Sequence, residues 1–187
     1  MTARKKLKIQ ELVKQRAVED LPIKLHLGCG DQHLDGWINS DYYDLRVADV
    51  QVDASKIPLP DNSVDEIYAS HLIEHFDFHQ GWTLLGEWHR VLKKSGKLTL
   101  ETPDLLGLCQ EFPKADTNGK VMLYGAFFGF PWYEGNGHKF LYTEVQLFWT
   151  LSKVGFTNIL RVKPDSIYAR SAPQFESTFL KVESYKK

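Results

Sequence analysis

The chain has 187 residues, 43% of them hydrophobic and 25% charged, with a formal net charge of −1. That length suits one domain with a substantial core, and the balanced charge gives no electrostatic footprint for nucleic acid. No apolar run reaches the ~18–20 residues of a membrane span, and the basic N-terminus lacks the apolar stretch of a signal peptide. Two cysteines, Cys29 and Cys109, make no disulfide framework, so a reducing cytoplasm is the expected compartment.

In chain order, residues 5–19 place Leu7, Ile9, Leu12, Val13 and Val18 among charges, the pattern of a short amphipathic helix ended by Pro22. Its apolar face is expected to pack across a site mouth as a lid. Ile23 to Leu27 reads as a short buried strand stopped by glycines. Trp37 to Ser40 reads as a second strand ending at Asp41, Val47 to Val52 as a third ending at Asp53, and Val64 to Ala69 as a fourth. His71 to Phe76 looks like the opening of a helix. Gln80 to Leu92 is a clearer one, with Trp82, Leu85, His89 and Leu92 at helical spacing. Lys93-Lys94-Ser95-Gly96 is expected to end it with basic residues and a glycine cap. Lys97 to Thr102 is a fifth strand, cut by Pro103.

The second half changes character. Residues 105–142 are rich in glycine and aromatics and read as a substrate-side insertion. Thr143 to Val154 is a helix with Thr143 as N-cap and Gly155 at its end. Phe156 to Val162 and Ser177 to Glu183 read as two final strands forming an antiparallel pair. Alternating strands and crossovers imply an α/β fold with a mostly parallel central sheet and a C-terminal antiparallel strand, built as one domain over residues 1–187.

Four features fall at strand ends, where open α/β sheets bind ligands. Leu25-His26-Leu27-Gly28-Cys29-Gly30 is a strand running into a glycine turn, where a backbone can approach a ligand that a Cβ would repel. Position 33 is His, so this is not the Gly-x-Gly-x-x-Gly of dinucleotide sites. Asp41 can accept hydrogen bonds from vicinal hydroxyls. Asp53-Ala54 ends the third strand, where the carboxylate can accept from an amino group or merely cap a turn. Ser70-His71 ends the fourth.

Together LHLGCG, GWINSD, DASKIPLPDNSVDEIYASHLIEH, EWHRVLKKSGKLTLETPD and LSKVGF resemble the class I S-adenosylmethionine (SAM)-dependent methyltransferases, well over residues 22–104 and loosely over 138–160. The resemblance implies a Rossmann-like fold with SAM as cofactor. It implies that Gly28, Cys29 and Gly30 pass under the methionine part of SAM, that Asp41 holds the ribose, that Asp53 and Ala54 read adenine, and that Ser70 and His71 line the methyl-transfer side. One departure is the ten-residue stretch between Gly30 and Asp41, which leaves space for about one helical turn plus a strand. A compact subgroup with this shortened crossover, associated with surface-sugar biosynthesis, is the nearest resemblance.

The implied reaction is methyl transfer to an oxygen or nitrogen of a small-molecule or glycan acceptor. Such a nucleophile needs a base poised near neutral pH, and His138, His71 and Asp104 are the candidates. The aromatic segment 130–140 is the expected acceptor wall. Two alternatives belong to other classes. One is a degenerate SAM-binding domain that acts as a partner or regulator. The other is a zinc hydrolase, because His71-Leu72-Ile73-Glu74-His75 matches His-x-x-Glu-His. That motif needs an established helix and a third ligand, whereas here it follows directly on a strand, so no metal is expected.

Overall fold

The computed structural model describes residues 8–130 and 135–187. A seven-stranded sheet organises them: β1 (Lys24–Leu27), β2 (Ile38–Asp41), β3 (Val50–Gln51), β4 (Val64–Ser70), β5 (Leu92–Pro103), β6 (Phe156–Val162) and β7 (Phe179–Lys186). Their spatial order is β3-β2-β1-β4-β5-β7-β6. All neighbours run parallel except β7, which is antiparallel to both β5 and β6. Strand order reverses between β1 and β4, and a ligand crevice belongs at that switch point.

Strand alternation gives the sheet two unlike faces. Leu25 and Leu27 of β1, Ile67 and Ala69 of β4, Leu98 and Leu100 of β5, and Leu180 and Val182 of β7 share the hydrophobic core. Helices α2 (Phe78–Val91) and α5 (Glu144–Val154) add Leu84, Leu85, Trp88, Val91, Leu147 and Leu151 to that core. The intervening positions carry polar side chains instead, and the register aligns His26 with Tyr68, Tyr68 with Thr99 and Thr99 with Glu183. A parallel sheet is ordinarily buried on both faces. Here no helix lies between β1 and β4, and the polar row becomes the floor of a cleft.

The short first crossover must satisfy its backbone without a helix. Asn39, wholly buried on β2, does much of this. Its Oδ1 accepts from Leu34 N at 2.9 Å, and its Nδ2 donates to Leu34 O at 3.0 Å and Trp37 O at 3.3 Å. The same Oδ1 lies 3.0 Å from Nδ1 of His26.

Helix α1 (Ile9–Val18) buries Ile9 in the core and ties Gln10 Nε2 to Pro58 O at 2.8 Å. The expected lid does not form from it: none of its residues lines the cleft. Leu7 of that expectation lies outside the described residues. Helix α5 carries the expected caps, with Thr143 Oγ1 accepting from Gln146 N and Gly155 at φ 117°.

The expected glycine cap after α2 is corrected. Leu92 is already extended and pairs with Val64, and a bulge over residues 93–96 restores the register at Glu66 and Lys97. Ser95, not Gly96, takes the positive φ of 61°. Gly96 is needed for space, since a Cβ there would lie 2.8 Å from Lys93 O. The third strand is also shorter than expected, only Val50–Gln51. Helices α3 (Leu105–Glu111) and α4 (Thr117–Phe128) occupy the stretch expected as an insertion. A further segment missing from the sequence reading joins β6 to β7: helix α6 (Ile167–Ser171) followed by 3₁₀ turns over Pro173–Thr178.

Candidate active site

A cleft of about 980 Å³ opens at the carboxyl ends of β1 to β5 and runs down the polar face. Gly28, Cys29, Gly30, Asp41, Asp53, Ala54, Ser70 and His71 all line it, as does His138.

The glycine turn is built for close approach. Gly28 and Gly30 have φ of 65° and 53°, a region costly for residues with a Cβ. A Cβ on Gly28 would meet Leu72 at 2.8 Å, whereas one on Gly30 would find nothing within 4 Å, so the space above Gly30 is open. Asp41 ties this turn to the end of β2. Its Oδ2 accepts from Gly30 N at 2.9 Å, and its Oδ1 accepts from Tyr43 N and Asp44 N at 2.8 Å each. A carboxylate offers about four acceptor sites, so capacity remains for a ligand hydroxyl. Asp53 Oδ1 accepts from Ser55 N at 2.9 Å and Ser55 Oγ at 2.6 Å, making the turn that presents Ala54. Trp88 fixes that turn from beneath, its Nε1–H donating to Ala54 O at 3.0 Å.

Cys29 is buried, and its thiol is pushed up to about 12, first by burial and then by the carboxylates of Asp41, Asp44 and Asp49. Cys109 is exposed. In the native protein at about pH 8, a thiol reagent should therefore label Cys109 and spare Cys29, because the thiolate is the reactive form. Denaturation should release the second thiol. Mass spectrometry showing Cys29 alkylated as fast as Cys109 in the folded protein would refute this.

His71 stands at the end of β4 with φ 52°, a strained conformation for a residue with a Cβ. Three contacts hold it there. Its N–H donates to Glu101 O at 2.8 Å, its Nδ1 lies 3.0 Å from Glu74 Oε1, and its ring packs edge-on to Tyr168 at 4.6 Å. Its Nε2 is buried and has no hydrogen-bond partner among the described residues. Glu74 is completely buried and its other oxygen accepts from Thr102 Oγ1 at 3.2 Å. Burial opposes ionisation of Glu74, but His71, with His75 and His138 behind it, holds the carboxyl below the ordinary carboxylate range.

The glycine- and aromatic-rich loop does fold over the strand ends. Lys139 N and Phe140 N both donate to Glu74 O, at 2.8 and 3.2 Å. His138 Nδ1 lies 2.9 Å from Ala126 O, and burial lowers its pKa. Phe130, Gly135, Asn136 and Lys139 line the cleft beside it. The Trp132 and Tyr133 of the expected acceptor wall lie outside the described residues.

Asp104 requires a correction. It caps α3 by accepting from Leu106 N at 3.1 Å, and its Oδ2 pairs with Arg161 at 3.2 Å. It is not among the residues that line the cleft. The His-x-x-Glu-His pattern is not the helical motif of a zinc hydrolase either. His71 belongs to the strand end, and Ile73–His75 form a single 3₁₀ turn. The sequence reading missed three contributors: Thr102, the orienting partner of Glu74; Asn39; and Tyr168. The Ser166 N-cap of α6, accepting from Ala169 N, was the available signal for the last.

Strand order 3-2-1-4-5-7-6 with an antiparallel seventh strand, a glycine turn after β1 and carboxylates at the ends of β2 and β3 give the Rossmann-like α/β fold found in solved SAM-dependent methyltransferases. Residues 38–100 match the family model described as a methyltransferase domain. A SAM-dependent methyltransferase from Archaeoglobus fulgidus shares this fold at 19% identity, with 95% of this chain and 94% of that one covered and a TM-score of 0.56. An S-adenosylmethionine-dependent methyltransferase from Mesorhizobium loti aligns at 16% identity, over 93% and 98%, with a TM-score of 0.55. The phosphoethanolamine N-methyltransferase 2 of Haemonchus contortus, solved in complex with SAM, aligns at 15% identity over 95% of this chain and 52% of that one, with a TM-score of 0.51. No curated protein matches the sequence. Thus a methyltransferase-domain model matches within the sheet-forming half of the chain, and nearly the whole chain shares the fold of solved SAM-dependent methyltransferases. No described helix is long and apolar enough to cross a membrane.

Proposed function

We propose that this chain transfers the methyl group of SAM to an oxygen or nitrogen of a small-molecule or glycan acceptor held over the ends of β4 and β5. One observation carries the reading: all eight residues expected to meet the cofactor line a single cleft at the switch point of the sheet. In this assignment Gly28, Cys29 and Gly30 underlie the methionine part, Asp41 takes the ribose hydroxyls, and Asp53 and Ala54 take adenine. Ser70 and His71 border the sulfonium methyl.

The cofactor supplies the electrophilic carbon and the protein supplies position. An acceptor lone pair forms the new bond to the methyl carbon while the carbon–sulfur bond breaks, and that electron pair stays on sulfur. The acceptor's proton must leave. His71 is the better placed of the two histidines to take it. With its Nδ1–H donated to Glu74, the lone pair resides on the unpartnered Nε2. His138 spends Nδ1 on Ala126 O, and the Glu74 carboxylate and the His75 ring are its neighbours.

Calorimetry with S-adenosylhomocysteine tests the cofactor half. Binding should raise the melting temperature, because the ligand stabilises only the native state. Asp41→Ala should weaken binding by about 1–3 kcal/mol, through a lost charge-assisted hydrogen bond. Absence of any binding to well-folded wild type would sink the proposal. Methyl incorporation into any acceptor would separate an enzyme from a degenerate binding domain.

A further inference from the structure

We propose that Glu74, His75 and His138 form a binding site for one divalent transition-metal ion, zinc by the chemistry of the donors. One ligand atom from each lies within 4.8 Å of the other two. Tetrahedral zinc with bonds of about 2.0–2.1 Å holds its donors about 3.4 Å apart. The three donors would therefore draw together on binding, and His75, which is only partly buried, has the most room to do so.

The surroundings of the three donors prepare them as ligands. A metal-binding imidazole commonly donates its second ring N–H to a carbonyl or carboxylate, which fixes the tautomer and aims the lone pair. His138 does this with Nδ1 on Ala126 O at 2.9 Å, leaving Nε2 as the donor atom. His75 repeats the arrangement more loosely, with Nδ1 3.3 Å from Gly137 O. The carboxylate of Glu74 is itself oriented by His71 and Thr102. The two stretches that carry the ligands are stapled together, because Lys139 N and Phe140 N both donate to Glu74 O.

Charge points the same way. Glu74 is wholly buried, and among the described residues the side chains that hydrogen-bond its carboxylate are His71 and Thr102, neither of which carries a fixed positive charge. A cation between it and the two imidazoles would supply the charge that a buried carboxylate otherwise lacks. His75 and His138 line the cleft while Glu74 lies behind them, so free coordination positions would face the cleft. Two histidines and one carboxylate with an open position is a donor set zinc takes in reactive sites. This trio is not the His-x-x-Glu-His motif: it omits His71 and takes its third member from 63 residues beyond His75.

The test needs no SAM, so it stands or falls apart from methyl transfer. Chelator-stripped protein is titrated with zinc chloride and followed by calorimetry and thermal shift. Binding of about one zinc per chain with a raised melting temperature is expected. His75→Ala, at a partly exposed position that leaves the core intact, should weaken binding at least tenfold. Thr102→Val should weaken it by about 10- to 100-fold, as loss of an orienting partner does. His33→Ala should change nothing, although His33 sits 3.5 and 3.6 Å from Asp35 and Asp49. Failure of folded wild type to bind zinc, or unaltered affinity in a folded His75→Ala/His138→Ala double variant, would overturn the proposal.

Discussion

His71→Ala is expected to lower methyl transfer by about 10²–10⁴-fold while leaving S-adenosylhomocysteine affinity within a few-fold of wild type. The size follows from the role. A positioned base contributes that much when the acceptor must lose a proton as the bond to carbon forms. The separation of turnover from affinity follows from geometry, since the glycine turn and Asp41 are joined to one another by Gly30 N at 2.9 Å and not through the imidazole. The folded state should survive. His71 is strained at φ 52°, so truncation loses the Glu74 contact without opening a hole in the apolar face. Single-turnover kinetics with labelled SAM and calorimetry on the same preparation measure both quantities. Unchanged turnover would transfer the base role elsewhere or show that the acceptor needs none. A parallel collapse of cofactor affinity would make His71 a binding residue.

Trp88→Ala should be the most destabilising single truncation in the core, at about 3–5 kcal/mol. Trp88 has no exposed surface and sits on α2 against the apolar face of the sheet, where neighbouring strands cannot close a cavity of that size. At this chain length the loss corresponds to a fall in melting temperature of very roughly 6–20 °C. Urea unfolding followed by circular dichroism gives the value. The indole also holds the Asp53-Ala54 turn through Ala54 O. Trp88→Phe keeps most of the packing and removes that bond, so its stability cost should be near 1 kcal/mol beyond the lost volume. It should also loosen S-adenosylhomocysteine binding if Ala54 borders the adenine. Equal affinity in Trp88→Phe and wild type would remove the turn from the cofactor site.

Both expectations start from features the linear chain shows. The run Leu25 to Gly30, the acids at 41 and 53, and the cap residues Thr143 and Gly155 are local signals. A strand stopped by glycine, or a helix opened by threonine, depends on the conformational preferences of a few adjacent residues. The structure bears out the sheet, the antiparallel seventh strand, and the α5 caps. It departs wherever the deciding partner is distant. Gly96 has the composition of a cap, but the pairing of Leu92 with Val64 draws the chain into β5 one residue after α2 ends. Asp104 has the position of an active-site acid, yet it pairs with Arg161 of β6 and does not line the cleft.

Sequence by itself determined the class of fold and which residues stand at the strand ends, because backbone preference and alternation of apolar residues are written within windows of a few residues. Only the tertiary structure decided which chemistry-bearing side chains meet. His138 and Glu74 come together through main-chain hydrogen bonds from Lys139 and Phe140, and His71 acquires its orientation from a carboxylate that Thr102 of β5 holds in place. The uncovered polar face of the sheet likewise follows from a crossover too short for a helix, whose backbone groups Asn39 satisfies from inside. Contacts of this kind join residues far apart in the chain. They are fixed by which groups must be satisfied when surfaces close on one another, and that has no local signature.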